Sequence, residues 1–285
     1  MITMEDNKKW TLVIKPGSKW FNINLHELLR YKGLIYLFIK RDFVTFYKQT
    51  ILGPLWYIIQ PLANTVILTI IFGKIAEIPT DDIPPFLFYM AGTVVWGYFS
   101  TCLIGTSNTF VENSQIFGKV YFPRLTVPIS VVMTGLFQFG IQVSLFLLFY
   151  LYYWVEGSIF NTNISILFFP LVVLQMAALG LGFGILISSL VTKYRDLTFA
   201  MTFVVQIWMY LSPIVYPLTE VPESYRLLYS LNPMVSVVES FRGMFLGQSS
   251  LELSHVIVGA FVTIVVVFFG VVLFSKTESN FMDTV

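Results

Sequence analysis

Six long stretches of the sequence contain no Asp, Glu, Lys or Arg. They cover residues 49–73, 83–111, 125–155, 157–192, 197–219 and 253–275. A helix needs about 20 apolar residues to cross the ~30 Å hydrocarbon core of a bilayer, so each stretch is long enough to span a membrane. Of all residues, 12% are charged, whereas soluble domains carry about 25%. We therefore expect an integral membrane protein.

The predicted fold class is all-α integral membrane, with six transmembrane helices. We place these helices at about residues 55–75, 86–106, 128–153, 165–191, 197–216 and 256–275. The other predicted elements are an N-terminal cytoplasmic interface helix and short outer-face helices between the fifth and sixth transmembrane helices. The predicted domains are an interface segment (1–54), a six-helix membrane domain (55–275) and a cytoplasmic tail (276–285). No cleavable signal peptide is expected, because the N-terminus is mixed and polar.

Basic residues are distributed unevenly among the connectors, and this predicts the orientation. The segment before residue 55, the connectors 105–127 and 192–196 and the C-terminal tail together carry fourteen Lys or Arg, whereas the alternate connectors carry three. Because basic residues concentrate on the cytoplasmic side, both termini are expected in the cytoplasm. Residues 25–50 mix cations with aromatic residues, which favours a helix in the inner headgroup region. A soluble N-terminal arm is the alternative.

The outer connector between the fifth and sixth predicted helices, residues 217–255, is long for a simple turn. It holds two partly apolar pieces, 224–231 and 234–247, on either side of Asn232-Pro233. Because proline disfavours helical geometry at the preceding residue, we expect two short helices with a break at Asn232. They either re-enter the membrane or lie flat on its outer surface.

Several functions are disfavoured by groups that the sequence lacks. No apolar stretch carries an acidic or basic residue near its middle, so coupling to an ion gradient is not expected. The GxxxxGK[ST] phosphate-binding loop is missing, which excludes ATP hydrolysis by that route. Neither the single cysteine, Cys102, nor the turn residues Asp81-Asp82 predict a metal site. We expect no catalytic residue, metal or cofactor in this chain, so active transport would need energy from another subunit.

Uncharged polar and aromatic residues recur at helical spacing in several predicted spans. The substrate-path candidates among them are Tyr57, Gln60, Asn64, Tyr89, Trp96, Phe199, Phe203, Gln206 and Tyr210. They could form a conduit for a polar but uncharged solute such as a sugar, which would stack on their rings. The structural alternative is that they form contacts between membrane helices. The GxxxG spacing of Gly180–Gly184 separately predicts close helix packing, within the bundle or at a dimer seam.

Several segments resemble ABC-2-type polysaccharide export permeases. The first runs from Arg41-Asp42 through Tyr47–Trp56 to Gln60-Pro61. The second is the connector between helices two and three, with matching residues Asn113, Lys119, Val120, Phe122, Pro123, Arg124 and Pro128. The later matches are Ser212–Pro217, Val221-Pro222, Tyr225-Arg226, Leu231–Pro233, Glu239–Arg242, Phe274, Lys276, Glu278, Phe281 and Asp283. Gly118 replaces one lysine of the family pattern, which weakens a role for paired lysines in reading a lipid diphosphate.

This resemblance implies a homodimeric permease in the bacterial cytoplasmic (inner) membrane, paired with two copies of a separate cytoplasmic ABC ATPase that binds ATP and Mg²⁺. The implied cargo is a polysaccharide linked to undecaprenyl diphosphate, with O-antigen favoured over capsular polysaccharide or teichoic acid. No nucleic acid is expected as a partner. An exporter of small lipids or drugs, a passive channel and a membrane glycosyl- or prenyltransferase are the alternatives. The ATPase-coupling candidates are Phe117, Lys119, Tyr121, Phe122 and Arg124. For Lys119 and Arg124, the alternative is a role in topology alone.

Overall fold

The computed structural model describes residues 25–48, 51–158, 160, 164–194, 196–247 and 252–284. The regular secondary structure of these residues is helical, which confirms the all-α fold class. Residues 1–24 of the predicted interface segment lie outside the described residues, as do Gln49 and Thr50 of the first family motif.

Twelve α-helices lie within the described residues. In chain order they are α1 (Leu25–Arg30), α2 (Lys32–Lys48), α3 (Trp56–Leu68), α4 (Pro85–Ser107), α5 (Thr109–Glu112), α6 (Ser114–Phe117), α7 (Thr126–Val155), α8 (Phe169–Val191), α9 (Leu197–Tyr210), α10 (Glu223–Tyr229), α11 (Pro233–Leu246) and α12 (Leu253–Thr284). A 3₁₀ turn at Gly53–Leu55 precedes α3, and a π-helical segment at Thr69–Ile75 continues it. Another 3₁₀ turn, Ile164–Phe168, leads into α8.

Five helical segments among the described residues are long and apolar enough to cross a membrane. They are Gly53–Ile75, Pro85–Ser107, Thr126–Val155, Ser165–Val191 and Leu253–Glu278. Each coincides with one of the predicted spans, so the sequence located these five helices correctly. The chain is a multi-pass membrane protein.

The helix predicted at 197–216 is shorter than expected. α9 ends at Tyr210, and its 14 residues rise ~21 Å at ~1.5 Å each, less than the ~30 Å hydrocarbon core. Pro213 explains the early end, because its ring disfavours helical geometry at Ser212 and cannot donate a helical hydrogen bond. The predicted boundary at residue 216 is therefore wrong.

α4 lies at the centre of the bundle, where it contacts α3, α7, α8, α9 and α11. The close approach of α8 depends on glycines. A Cβ at Gly180 would lie 2.5 Å from the Cβ of Cys102, and a Cβ at Gly184 would overlap Thr106. The Thr106 hydroxyl also donates a hydrogen bond across this interface to the Gly180 carbonyl, at 3.2 Å. The close packing predicted from the GxxxG spacing is therefore found within the bundle.

α11 is buried in the bundle instead of lying flat on its surface. Twelve of its 14 residues are buried, and it packs against α4, α8 and α12. Asn232 fixes its start, because the side-chain Oδ1 accepts a hydrogen bond from the main-chain N–H of Met234 at 3.1 Å. Gly247 follows its end in the left-handed conformation, with φ 74°. Of the two predicted arrangements of the outer connector, this burial fits the re-entrant one.

Candidate functional site

α9 packs on the bundle through one face and leaves the opposite face open. On the packed side, the Trp208 ring lies 6.2 Å from the Trp96 ring and 5.2 Å from the Phe99 ring, between centroids. The opposite side carries four predicted substrate-path residues, all exposed: Phe199, Phe203, Gln206 and Tyr210. The Phe199 side chain is 83% exposed. The sequence therefore grouped four residues that do share one open face.

α3 has the same two-sided character. Its packed side lies against α4, where Thr65 Oγ1 is 3.1 Å from Thr93 Oγ1. Gln60 and Asn64 are exposed on the other side, and Tyr57 is half-buried. The amide groups of α3 thus lie on an open face, as Gln206 does on α9.

These exposed amides limit what can cover the two faces. Gln60 and Asn64 belong to a segment long enough to cross a membrane, and moving an amide from water into hydrocarbon costs about 4–8 kcal/mol when nothing can hydrogen-bond to it. Lipid tails are therefore a poor cover for these positions. A second protein chain, water or a polar solute can satisfy them.

Tyr89 and Trp96, two other predicted path residues, lie inside the protomer. Tyr89 is fully buried, and Trp96 is buried beneath Trp208 of α9. Neither has a free surface for a passing solute in this arrangement. At these two positions the stripe on α4 serves helix packing, which was the structural alternative, so the substrate-path hypothesis narrows to α3 and α9. Helical spacing could not show this, because it does not reveal which neighbour covers a face.

A second site lies at the end of the bundle where α7 begins and α12 ends. Five buried rings meet there in what we name the phenylalanine cluster: Phe38, Phe110, Phe117, Phe122 and Phe274. Phe110 stacks on Phe274 with centroids 4.8 Å apart, and Phe117 lies 5.6 Å from Phe122. Phe117 and Phe122 were predicted to contact a partner ATPase. Their rings instead face inward and hold the connector between α4 and α7 to α2 and α12.

The connector exposes a short tip next to this cluster. The tip consists of Lys119, Val120 and Tyr121, and the Tyr121 side chain is 76% exposed. Of the five coupling candidates, Lys119 and Tyr121 are thus the ones whose side chains are largely open to a partner.

Arg124 is half-buried and binds the C-terminal part of α12. Its Nη1 donates a hydrogen bond to the main-chain oxygen of Glu278 at 2.7 Å, and its own main-chain N–H donates to Glu278 Oε1 at 3.1 Å. Burial lowers the pKa of Arg124, and the charge of Glu278 opposes that shift. No local pattern predicts this contact, because the two residues are 154 positions apart in the sequence.

A buried ion pair lies at the opposite end of the bundle, where the predicted outer connector (217–255) packs. Arg242 of α11 is 1% exposed, and its Nη1 lies 3.1 Å from Glu239 Oε1. Its Nη1 also donates to the Pro213 carbonyl, and its Nη2 donates to the carbonyls of Ile214 (3.0 Å) and Phe88 (3.4 Å). The guanidinium carbon lies 3.6 Å from the centre of the Phe88 ring. This side chain joins α4, α11 and the segment after α9.

This role of Arg242 is not predicted from the sequence. There, Arg242 counts as a basic residue of an outer connector, because the piece 234–247 is too short to span a membrane. The available signal was a Glu and an Arg three residues apart in an otherwise mainly apolar helix, where each can neutralise the other.

Among the described residues, no group of three or more His, Cys, Asp or Glu is placed to hold a metal ion. The chemical groups of the open faces on α3 and α9 are amides and aromatic rings, which bind by hydrogen bonding and stacking.

The spans, the buried helix α11 and the open uncharged faces define a polytopic helical membrane protein suited to transport. A family model described as ABC-2 type transporter matches residues 33–246, and the chain belongs to this family.

Individual relatives are similar over most of their length. The O-antigen export system permease protein RfbA of Myxococcus xanthus is 26% identical over 266 residues, covering 92% of this chain and 98% of the relative. A Klebsiella pneumoniae protein of the same name is 27% identical over 255 residues, covering 88% and 94%. The polysialic acid transport protein KpsM of Escherichia coli is 25% identical over 247 residues, covering 86% and 93%.

Proposed function

We propose that this chain is the transmembrane permease subunit of an ABC transporter that exports a lipid-linked polysaccharide, with O-antigen favoured, across the bacterial cytoplasmic membrane. The observation that carries the proposal is the open, uncharged face of α9, in a chain whose relatives are named for O-antigen export. A neutral glycan presents hydroxyl groups and apolar C–H faces. Amides can hydrogen-bond to the hydroxyls, and rings can stack on the C–H faces.

Export of a capsular polysaccharide is the second candidate, because KpsM is named for polysialic acid transport. Polysialic acid carries a carboxylate on each sugar, so a conduit for it would gain from cationic groups. The described residues of α9 include neither Lys nor Arg, which favours a neutral glycan.

The conduit lies between two copies of the chain. In a homodimer, the open faces of α3 and α9 turn toward the partner copy, which removes Gln60, Asn64 and Gln206 from lipid. α9 with the turn that follows it forms the sixth membrane crossing, so that both termini lie in the cytoplasm, as the positive-inside bias supports.

Energy comes from two copies of a separate ABC ATPase, which bind ATP and Mg²⁺. The exposed tip, Lys119–Tyr121, is the coupling surface, and the phenylalanine cluster gives it a rigid base. The cargo enters as an undecaprenyl-diphosphate-linked chain, and the re-entrant α11 with α10 closes the outer end.

The test removes two stacking rings from the proposed conduit. The double variant Phe199→Ala/Phe203→Ala is produced together with the ATPase in cells that lack the native permease, and surface polysaccharide is measured. Because each lost stacking contact is worth about 1 kcal/mol, we expect export to fall about tenfold or more. Both side chains are exposed, so the amount of folded permease and its co-purification with the ATPase should not change.

The matched control is Phe261→Ala/Phe269→Ala, which removes two exposed rings from α12 and should leave export at the wild-type level. Unchanged export in the α9 variant would contradict the conduit. Transport without any ATPase would favour a passive channel, and metal-dependent formation of a glycosylated or prenylated product would favour a transferase.

A further inference from the structure

α12 does not stop at the predicted membrane boundary near residue 275. It continues as helix to Thr284, and Glu278 in this extension binds Arg124 of the connector that carries the tip. Phe274 is fully buried and stacks on Phe110, and Phe110 lies 5.8 Å from Phe117, which ends α6 just before the tip. The C-terminal part of α12 thus belongs to the phenylalanine cluster that supports the tip.

The tip is held on both sides. On its N-terminal side, Phe117 is buried in the phenylalanine cluster. On its C-terminal side, Phe122 enters the same cluster and Arg124 makes the two hydrogen bonds with Glu278. The guanidinium of Arg124 also lies 5.6 Å from the Phe117 ring centre, so it bridges the two sides.

Glu278 acts on the main chain of the connector as well as on the Arg124 side chain. Its carboxylate accepts from the N–H of Arg124, two residues before α7 begins at Thr126. Negative charge is favourable near the start of a helix. A single residue of α12 therefore binds the main chain of the connector just before the 30-residue α7 begins.

We infer that Glu278 is a positioning residue for energy coupling: it holds the tip Lys119–Tyr121 in the orientation that meets the ATPase. The inference rests on the proposed function. When the ATPase displaces the tip, the start of α7 and the end of α12 then move with it. ATP hydrolysis is thereby coupled to export. Without the Glu278 carboxylate, the tip is held only by the phenylalanine cluster and by the bond from Arg124 Nη1 to the main-chain oxygen of residue 278. Less polysaccharide is then exported for each ATP hydrolysed.

The experiment compares Glu278→Ala with Glu278→Gln in the complete transporter with its ATPase, reconstituted in lipid vesicles. Glutamine keeps an acceptor oxygen for the Arg124 N–H, whereas alanine removes it. Losing a hydrogen bond to a charged group shifts such an equilibrium about tenfold, so we expect polysaccharide exported per ATP to fall about tenfold in Glu278→Ala and less in Glu278→Gln. Glu156→Ala, an exposed glutamate at the other end of α7, is the matched control and should couple normally.

A second readout follows the tip directly, without transport. A spin label is attached at Val120→Cys in the full chain, where Cys102 is buried and will not be labelled. We expect the label to be more mobile with Glu278→Ala than with Glu278→Gln or with native Glu278.

The outcomes separate the two proposals. Unchanged export per ATP and unchanged label mobility in Glu278→Ala would overturn the positioning role and leave the proposed function intact. Equal loss in both Glu278 variants, together with lost thermal stability, would also overturn it, because it would indicate a structural role alone. If the wild-type complex exported nothing, the proposed function would be contradicted, while the label at Val120 would still decide whether Glu278 holds the tip.

Discussion

Removing the Arg242 guanidinium should destabilise the outer half of the bundle more than removing any exposed charge. Arg242→Ala takes away the partner of the buried Glu239 carboxylate. It also leaves the carbonyls of Pro213, Ile214 and Phe88 without this donor. Since Pro213 and Ile214 follow α9, the change releases the end of that helix from α4 and α11.

The size of the effect follows from these contacts. Breaking a buried ion pair by deleting one partner costs about 3–5 kcal/mol, because the remaining charge stays buried. Orphaned carbonyls add to this, although the terms overlap. We expect Arg242→Ala to lower the free energy of unfolding by about 4 kcal/mol or more.

A double variant separates the ion pair from the carbonyl contacts. Glu239→Leu/Arg242→Met removes both charges, so no unpaired charge is left. The Pro213 and Ile214 carbonyls still lose their donor, and we expect a residual loss of about 2 kcal/mol. The double variant should therefore be more stable than Arg242→Ala and less stable than the wild type.

Thermal unfolding in detergent, followed by the monodisperse fraction in size-exclusion chromatography, measures these differences. Arg226→Ala on α10 is the matched control. Arg226 is only partly buried, pairs with the exposed Glu223 and also donates to two carbonyls, those of Val221 and Thr219. Because it buries no charge pair, its loss should cost about 2 kcal/mol or less. If Arg242→Ala behaved like Arg226→Ala, the contacts of Arg242 would not stabilise the bundle as described. If the double variant were as stable as the wild type, the hydrogen bonds from Arg242 to the carbonyls would not contribute to stability.

Two further predictions concern packing and pH. Gly184→Ala should lower the free energy of unfolding by about 1–3 kcal/mol, because the added Cβ would overlap Thr106. Gly140→Ala is the control, because its added Cβ meets open space and should not change stability. Equal melting temperatures for the two variants would contradict the described contact between α4 and α8. Partial burial, together with the charge of Asp42, raises the pKa of Glu112 above its ordinary value of 4.5. The contribution of Glu112 to stability is therefore present below that value and is lost as the pH rises through the folded pKa. Glu112→Gln should therefore make stability less dependent on pH when unfolding is measured from acidic to neutral pH. An unchanged slope would show that the pKa of Glu112 does not differ between the folded and unfolded states.

The five long spans could be predicted from the sequence because a run of about 20 uncharged apolar residues has few other stable solutions. α9 was harder, since the run 197–219 continues past the end of the helix. Its end at Tyr210 depends on Pro213, and on the capture of Pro213 and Ile214 carbonyls by Arg242. That capture involves residues 28 and 29 positions apart, which no local pattern shows.

The candidate sites were predictable to a similar degree. Helical spacing correctly grouped Phe199 and Phe203 on one face, but the same rule applied to α4 selected Tyr89 and Trp96, which neighbouring helices bury. Spacing describes one helix, whereas exposure depends on all its neighbours. For the same reason Glu278 had no sequence signal beyond its place in a family motif. The roles of these residues in transport stay predictions.

We propose that this chain moves a polysaccharide with energy from a separate ATPase. The most direct measurement uses the purified permease and ATPase in vesicles loaded on one side with the undecaprenyl-diphosphate-linked glycan, and follows the appearance of glycan on the other side. Delivery should require ATP, Mg²⁺ and both proteins, and it should stop when the ATPase is inactivated. Delivery that continues without ATP or without the ATPase, or no delivery when both are present and active, would contradict the claim.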